Sequence, residues 1–200
     1  MKSLHSKREK LMKKSLEYLI PVVVGLAIAL IIRTFLFSLV SVSGNSMDPN
    51  LYNREKVVLV RQGQLKRGKV IVFKAHGVDK GATLKTLYVK RVIGLPGDVI
   101  SYHNDGSLFV NGKKQSQSYI SRAQQKVGTF HLVKSEAKDV SLGTGRKFRV
   151  PKNKYFVLGD NRQVSNDSRY YGYVPRDKIL GTVWVFWWHE KQKLINDYQP

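Results

Sequence analysis

Hydrophobic positions along the chain fall into two regimes. From Tyr18 to Val40 the sequence reads YLIPVVVGLAIALIIRTFLFSLV, interrupted by a single charge at Arg33. A bilayer core requires about 20 apolar residues in a helix, so this stretch predicts one N-terminal transmembrane helix. Arg33 lies within reach of one end, where its long stem can carry the charge toward the headgroups. Beyond Val40 the pattern changes to short β-branched runs separated by turn signals, which predicts a mainly β, antiparallel-sheet domain. The candidate strands are Val57–Val60, Lys69–Lys74, Leu84–Ile93, Val99–Tyr102, Ser107–Val110, Tyr155–Leu158 and Gly181–Trp188. Asp105-Gly106 and Asn111-Gly112 bracket one of them and favour tight hairpin turns. Residues 111–150 are polar and weakly periodic, with a short helix expected near Ser121–Val127, and 102–150 reads as a small inserted lobe or loop region.

Charge sets the expected orientation. Lys2, Lys7, Arg8, Lys10, Lys13 and Lys14 precede the apolar stretch, which predicts a cytoplasmic basic tail (1–17), a membrane anchor (18–40) and an extracytoplasmic domain (41–200). A cleavable signal peptide is the alternative; the stretch is long for one, and only Ser41-Val42-Ser43 offers a small-x-small site. The formal net charge of +21 suits nucleic acid, an anionic membrane or wall surface, or a plain basic exterior, and does not choose among them. There is no cysteine, so disulfides, thiol catalysis and thiolate metal sites are excluded. His5, His76, His103, His131 and His189 are scattered without metal-ligand spacing, so neither metal nor cofactor is expected.

Three stretches differ from ordinary strand-and-turn sequence. In Ser43-Gly44-Asn45-Ser46-Met47-Asp48-Pro49, glycine and proline bend the chain around Ser46, which can present its hydroxyl and free nearby backbone N–H groups for a ligand; taken alone, such a serine is usually a turn residue. In Tyr88-Val89-Lys90-Arg91-Val92-Ile93-Gly94-Leu95-Pro96-Gly97-Asp98, period-two counting sets Lys90 with Tyr88 and Val92, and Arg91 with Leu87, Val89 and Ile93. Both faces are apolar, so one of the two cations should be partly buried, unless this is an edge strand with both solvated. A buried lysine loses solvation of its charged form, its pKa falls, and once neutral it can take a proton from a serine hydroxyl. The third stretch, Gly159-Asp160-Asn161-Arg162-Gln163-Val164-Ser165-Asn166-Asp167-Ser168-Arg169, would ordinarily be a solvated loop; its interleaved aspartates and arginines can also form an ion-pair network that stiffens a site. Ser165 is placed to orient an amine.

These three stretches, in this order and behind a membrane anchor, resemble the bacterial type I signal peptidases. The resemblance covers nearly all of the chain outside residues 102–150, and the three motifs together are very specific. It implies that Ser46 is the nucleophile and Lys90 the general base. Ser165 matches the family serine that hydrogen-bonds the lysine, while Asp160, Arg162, Asp167 and Arg169 match residues that support the site, and Arg91 joins them. By the same resemblance the Ser46 backbone N–H binds the oxyanion, and the substrate is a secretory preprotein cut after small residues of the A-x-A type through an acyl-enzyme. The lipid bilayer is the other expected partner, with Trp184, Phe186, Trp187 and Trp188 either at its interface or in an aromatic core strand; no nucleic acid is expected.

Two positions depart from the family pattern. Gly44 stands where some members carry a serine that helps bind the oxyanion, and Asn50 stands where threonine is usual, which predicts a local change in hydrogen bonding. Among rivals, a self-cleaving repressor of related chemistry needs a soluble helix-turn-helix where this chain has its apolar stretch. A non-catalytic tethered module leaves the three motifs unexplained. Gly143-Thr144-Gly145-Arg146-Lys147 lacks the spacing and the following helix of a phosphate loop.

Overall fold

The structure is a computed structural model and describes residues 2–130, 137 and 139–200. His131 and part of the expected inserted lobe lie outside the described residues. The chain divides into two units, Met1–Ser38 and Leu39–Pro200.

The first unit is dominated by helix α1, Lys2–Leu36. The apolar run was expected to stay helical to Val40. The helix instead ends at Leu36, and Phe37–Ser41 forms strand β1. The side chains described without a break in α1 are those of residues 16–30, mostly apolar and all exposed. Among the described residues no helix is long and apolar enough to cross a membrane.

The second unit is mainly β, as expected. Strands β2 (Lys56–Val60), β3 (Val70–Lys74), β4 (Leu87–Gly94), β5 (Val99–Tyr102), β6 (Leu108–Val110), β7 (Lys113–Lys114), β8 (Phe148–Arg149), β9 (Lys154–Leu158), β10 (Val174–Pro175) and β11 (Ile179–Trp184) follow in order. They form a large sheet ordered β1-β2-β11-β3-β4-β9-β10 and a small one ordered β7-β6-β5-β8. The helix expected at Ser121–Val127 is α2, Arg122–Phe130, and a four-residue α3, Ser168–Tyr171, follows β9.

Strand β3 explains why the sheet reads as unbroken apolar runs. Val70 and Val72 pack on one face with Met47, Leu51, Val89 and Ile195. Ile71 and Phe73 pack on the other with Val92, Tyr155 and Val157. With both faces covered, alternation disappears and β-branched residues fill successive positions. The Leu95-Pro96-Gly97-Asp98 turn then passes the chain from the large sheet to the small one. Gly97 takes φ +89°, and Asp98 accepts from the Leu95 amide at 2.7 Å and from Arg67 at 2.6 Å. This end of the second motif is therefore architectural. The last predicted strand is shorter than expected: β11 stops at Trp184, and Phe186, Trp187 and Trp188 stand exposed beyond it, Trp187 at 82%. None of the four aromatic side chains is in the core.

Candidate active site

Ser46 is carried on a loop closed at its base. The Val42 amide donates to Glu55 O and the Arg54 amide to Val42 O, both at 2.8 Å. Met47 and Leu51 are fully buried beneath it, each contributing about 1.5–3 kcal/mol by burial. The apolar residues flanking Ser46 thus sink into the core and leave the hydroxyl at its edge. Gly44 takes φ +84° and donates its amide to Asn53 Oδ1 at 3.0 Å. The Ser46 amide donates to no acceptor among the described hydrogen bonds.

Lys90 comes to Ser46 from the middle of the sheet. In β4 it lies opposite Ile71 of β3, and it is only 3% exposed. Its Nζ donates to Ser46 Oγ at 2.8 Å and to Val89 O at 3.1 Å, and lies 5.1 Å from the Tyr88 ring centre. Burial pushes the ammonium down to about 8, against the raising influence of Asp167 and Asp160. One buried cation was expected in this strand. Both are buried, because β4 is a central strand, and Arg91 on its opposite face is fully enclosed.

Arg91 survives there because four of its five N–H groups have described acceptors. Its Nε and Nη2 donate to the two oxygens of Asp160 at 2.8 and 2.6 Å, and its Nη1 donates to Gly68 O and Leu194 O. Asn50 adds a further donor: its Nδ2 reaches Asp160 Oδ2 and Tyr119 O, each at 2.8 Å. The departure at Asn50 therefore links the serine loop, the ion pair and the chain around Tyr119. Asp160 pairs with Arg91 and not with its sequence neighbour Arg162, whose guanidinium takes neutral partners. Arg162 donates to Gly159 O, Tyr102 OH, Gln117 Oε1 and Tyr119 OH, so it docks the expected inserted region against the third motif. Among the described residues no carboxylate is in salt-bridge contact with it.

Asp167 and Arg169 form a second buried pair. Asp167 accepts from Arg169 Nε at 2.7 Å and Nη2 at 2.8 Å, caps α3 through the Arg169 amide, and accepts the Gly159 amide at 2.9 Å. Burial alone would raise the Asp167 carboxyl; the Arg169 guanidinium and the hydrogen bonds overcome that and hold it below its ordinary range.

Ser165 is also brought to the site. Its side chain is buried, while the described hydrogen bonds of Lys90 Nζ go to Ser46 and Val89. The Ser165 hydroxyl lies against Gly159, where an added Cβ would fall 2.1 Å from Ser165 Oγ and 2.5 Å from Ser46 O. Gly159 is thus a site residue that sequence reasoning passed over. Its signal was present, a glycine heading the third motif, but close approach is legible only in three dimensions. The Asn161 amide then donates to Ser46 O at 3.1 Å, so the third motif holds the serine backbone directly. Among the described residues no group of three or more His, Asp or Glu forms a metal-binding cluster.

A β-sheet domain with a serine hydroxyl bonded to a buried lysine suits hydrolysis by a serine nucleophile. The sequence supplies the class: the family described as signal peptidase, peptidase S26, matches residues 15–188, and the chain belongs to that family. Membership makes it a serine endopeptidase of the signal-peptidase type. Among particular relatives, signal peptidase IB of Staphylococcus aureus (strain Mu50 / ATCC 700699) is 39% identical over 181 residues, covering 88% of this chain and 91% of its own. Signal peptidase I P of Bacillus subtilis subsp. natto is 40% identical over 186 residues, with the same coverage. A crystal structure of a signal peptidase I from Enterococcus faecalis V583 aligns with TM-score 0.45 and 30% identity, over 60% of this chain and 96% of that one.

Proposed function

We propose that the chain is a membrane-anchored signal peptidase that removes N-terminal signal peptides from exported preproteins through a Ser46–Lys90 pair. One observation carries this reading: the bond of 2.8 Å between Lys90 Nζ and Ser46 Oγ, made by a lysine whose burial brings its ammonium down to about 8. Neutral Lys90 takes the hydroxyl proton as Ser46 attacks the carbonyl after a small residue. Lys90 then returns that proton to the departing amine, and water releases the acyl-enzyme. The Ser46 amide, which has no described acceptor, is the backbone donor for the oxyanion; Gly44 offers no hydroxyl to help it.

An extended substrate can add to the sheet. β9 turns away after Leu158, which lies opposite Arg91, so Leu87–Lys90 is laddered to β3 alone among the described strands. Backbone pairing along that edge tolerates varied side chains, and small pockets at two positions select A-x-A-type signals. The apolar part of α1 from Tyr18 to Leu36 and its basic flank support a single-pass anchor with a cytoplasmic N-terminus, which puts the β-sheet domain across the membrane. The exposed Trp184, Phe186, Trp187 and Trp188 suit the bilayer interface.

The test is cleavage of a secretory preprotein with an A-x-A site by detergent-purified protein, beside Ser46→Ala and Lys90→Met. Cleavage by the parent alone, at the site identified by N-terminal sequencing, is the expected result. Activity surviving both substitutions would overturn the assignment.

A further inference from the structure

Residues 189–200 lie past the segment matched by the family, yet they close one wall of the candidate site. Arg91 packs against a touching pair of tyrosine rings, Tyr119 at 4.2 Å and Tyr198 at 5.5 Å from its guanidinium carbon. The rings meet edge to face, with centres 4.9 Å apart. Leu194 O accepts from Arg91 Nη1 beside Gly68 O. The Tyr198 backbone packs on bare Gly68, where a Cβ would come within 2.8 Å of Tyr198 O.

The segment itself is held independently of Arg91. The Asn196 side chain imitates a strand, accepting from the Val185 amide at 3.0 Å and donating to Val185 O at 2.7 Å. Lys69 Nζ donates to Asn196 O, Ile195 is buried in the core, and Tyr198 OH donates to Ser116 O at 2.7 Å. A tail that merely covered apolar surface would need Ile195 alone. This one spends a backbone carbonyl and an aromatic face on a buried guanidinium.

We infer that Leu194–Tyr198 is a positioning element of the site: it completes the cage that keeps Arg91 on Asp160 and thereby holds the loop that supports the Ser46 backbone. The inference rests on Ser46 and Lys90 being the reacting pair. The links are short and continuous: Leu194 O and the Tyr198 ring to Arg91, Arg91 to both oxygens of Asp160, and the next residue's amide, Asn161, to Ser46 O. Loosening the first link lets water reach the ion pair, which weakens it. A serine displaced by about 1 Å from its base loses rate on the order of a hundredfold.

The experiment compares Tyr198→Ala and Tyr198→Phe in the full chain in detergent, with Val110→Ala in the small sheet as a control for general loss of stability. Two readouts are taken: kcat and KM per titrated active enzyme on a preprotein, and hydrogen exchange of the Asn161 amide. Tyr198→Ala should lower kcat about tenfold or more while KM stays within about twofold, and the Asn161 amide should exchange faster than in the control. Tyr198→Phe keeps the ring over Arg91 and should stay near the parent in both readouts. Parental Asn161 exchange in Tyr198→Ala, or equal damage from Phe and Ala, overturns the cage. If the parent itself cleaves nothing, the peptidase reading falls, and the Asn161 amide still decides whether the tail holds the loop.

Discussion

Lys90 Nζ and Ser46 Oγ are 2.8 Å apart although they lie 44 positions apart in sequence. The lysine reaches the hydroxyl from inside a sheet that strips most of its water. Its ammonium is brought down from an ordinary 10.5 to about 8. Because the neutral amine is the competent base, kcat/KM should rise with pH along a limb of apparent pKa about 8. At pH 7 roughly a tenth of the molecules carry the neutral base. A pH–rate profile on an A-x-A peptide checks this; a flat profile between pH 7 and 9 would exclude Lys90 as the base.

The same shift makes a stability prediction of defined sign. Between about 8 and 10.5 the unfolded lysine binds a proton that the folded one has lost, so stability gains a contribution as pH rises through that window. Lys90→Met removes the buried cation while keeping the apolar stem. It should abolish cleavage yet leave the melting temperature at pH 7 no lower than the parent's. Loss of both activity and fold would mean that Lys90 is structural.

Arg91→Met tests the ion pair from the other side. It leaves Asp160 enclosed with Asn50 as its remaining described side-chain donor, and breaking a buried pair typically costs about 3–5 kcal/mol. Urea titration should show a loss of that order. A loss below about 1 kcal/mol, the range of exposed pairs, would mean that water already reaches Asp160.

Gly159→Ala should damage activity more than stability. The new methyl would collide with Ser165 Oγ and the Ser46 carbonyl, and either the nucleophile loop or the third motif must shift. We expect kcat/KM to fall by about a hundredfold, measured beside a urea midpoint that moves far less than in Arg91→Met. Parental kinetics would show that this contact relaxes freely.

The protein has three tryptophans, Trp184, Trp187 and Trp188, all in the exposed aromatic run. Tryptophan fluorescence of the full chain in liposomes therefore reports on that run alone. Lipids brominated near the headgroup end of the acyl chain should quench it strongly, and bromines near the bilayer centre weakly. No quenching by either would place the run away from the bilayer.

Much of the site was legible from local chemistry. A bend around Ser46, a lysine in an apolar strand and a loop dense in aspartate and arginine are short-range patterns, because turn geometry, strand period and local charge act over a few residues. The strands were legible for the same reason, and their ends were not. Leu36 ends the helix and Trp184 ends the last strand where pairing partners, rather than hydropathy, decide. Partner choice was beyond sequence too. Asp160 binds Arg91, 69 positions away, instead of Arg162, two positions away, because the fold puts the guanidinium of a central strand beneath it.

What the sequence by itself determined is the family, the β-rich domain behind an apolar stretch, and the identity of the candidate reacting pair. Only the tertiary structure decided that both cations of β4 are buried, that Asn50 donates to Asp160 from 110 positions away, that Gly159 leaves room for the Ser46 carbonyl, and that Tyr198 lies over Arg91. The physical reason is common to all four. Burial and hydrogen-bond partnership are properties of the space around a group, and distant chain segments fill that space only once the sheets have assembled.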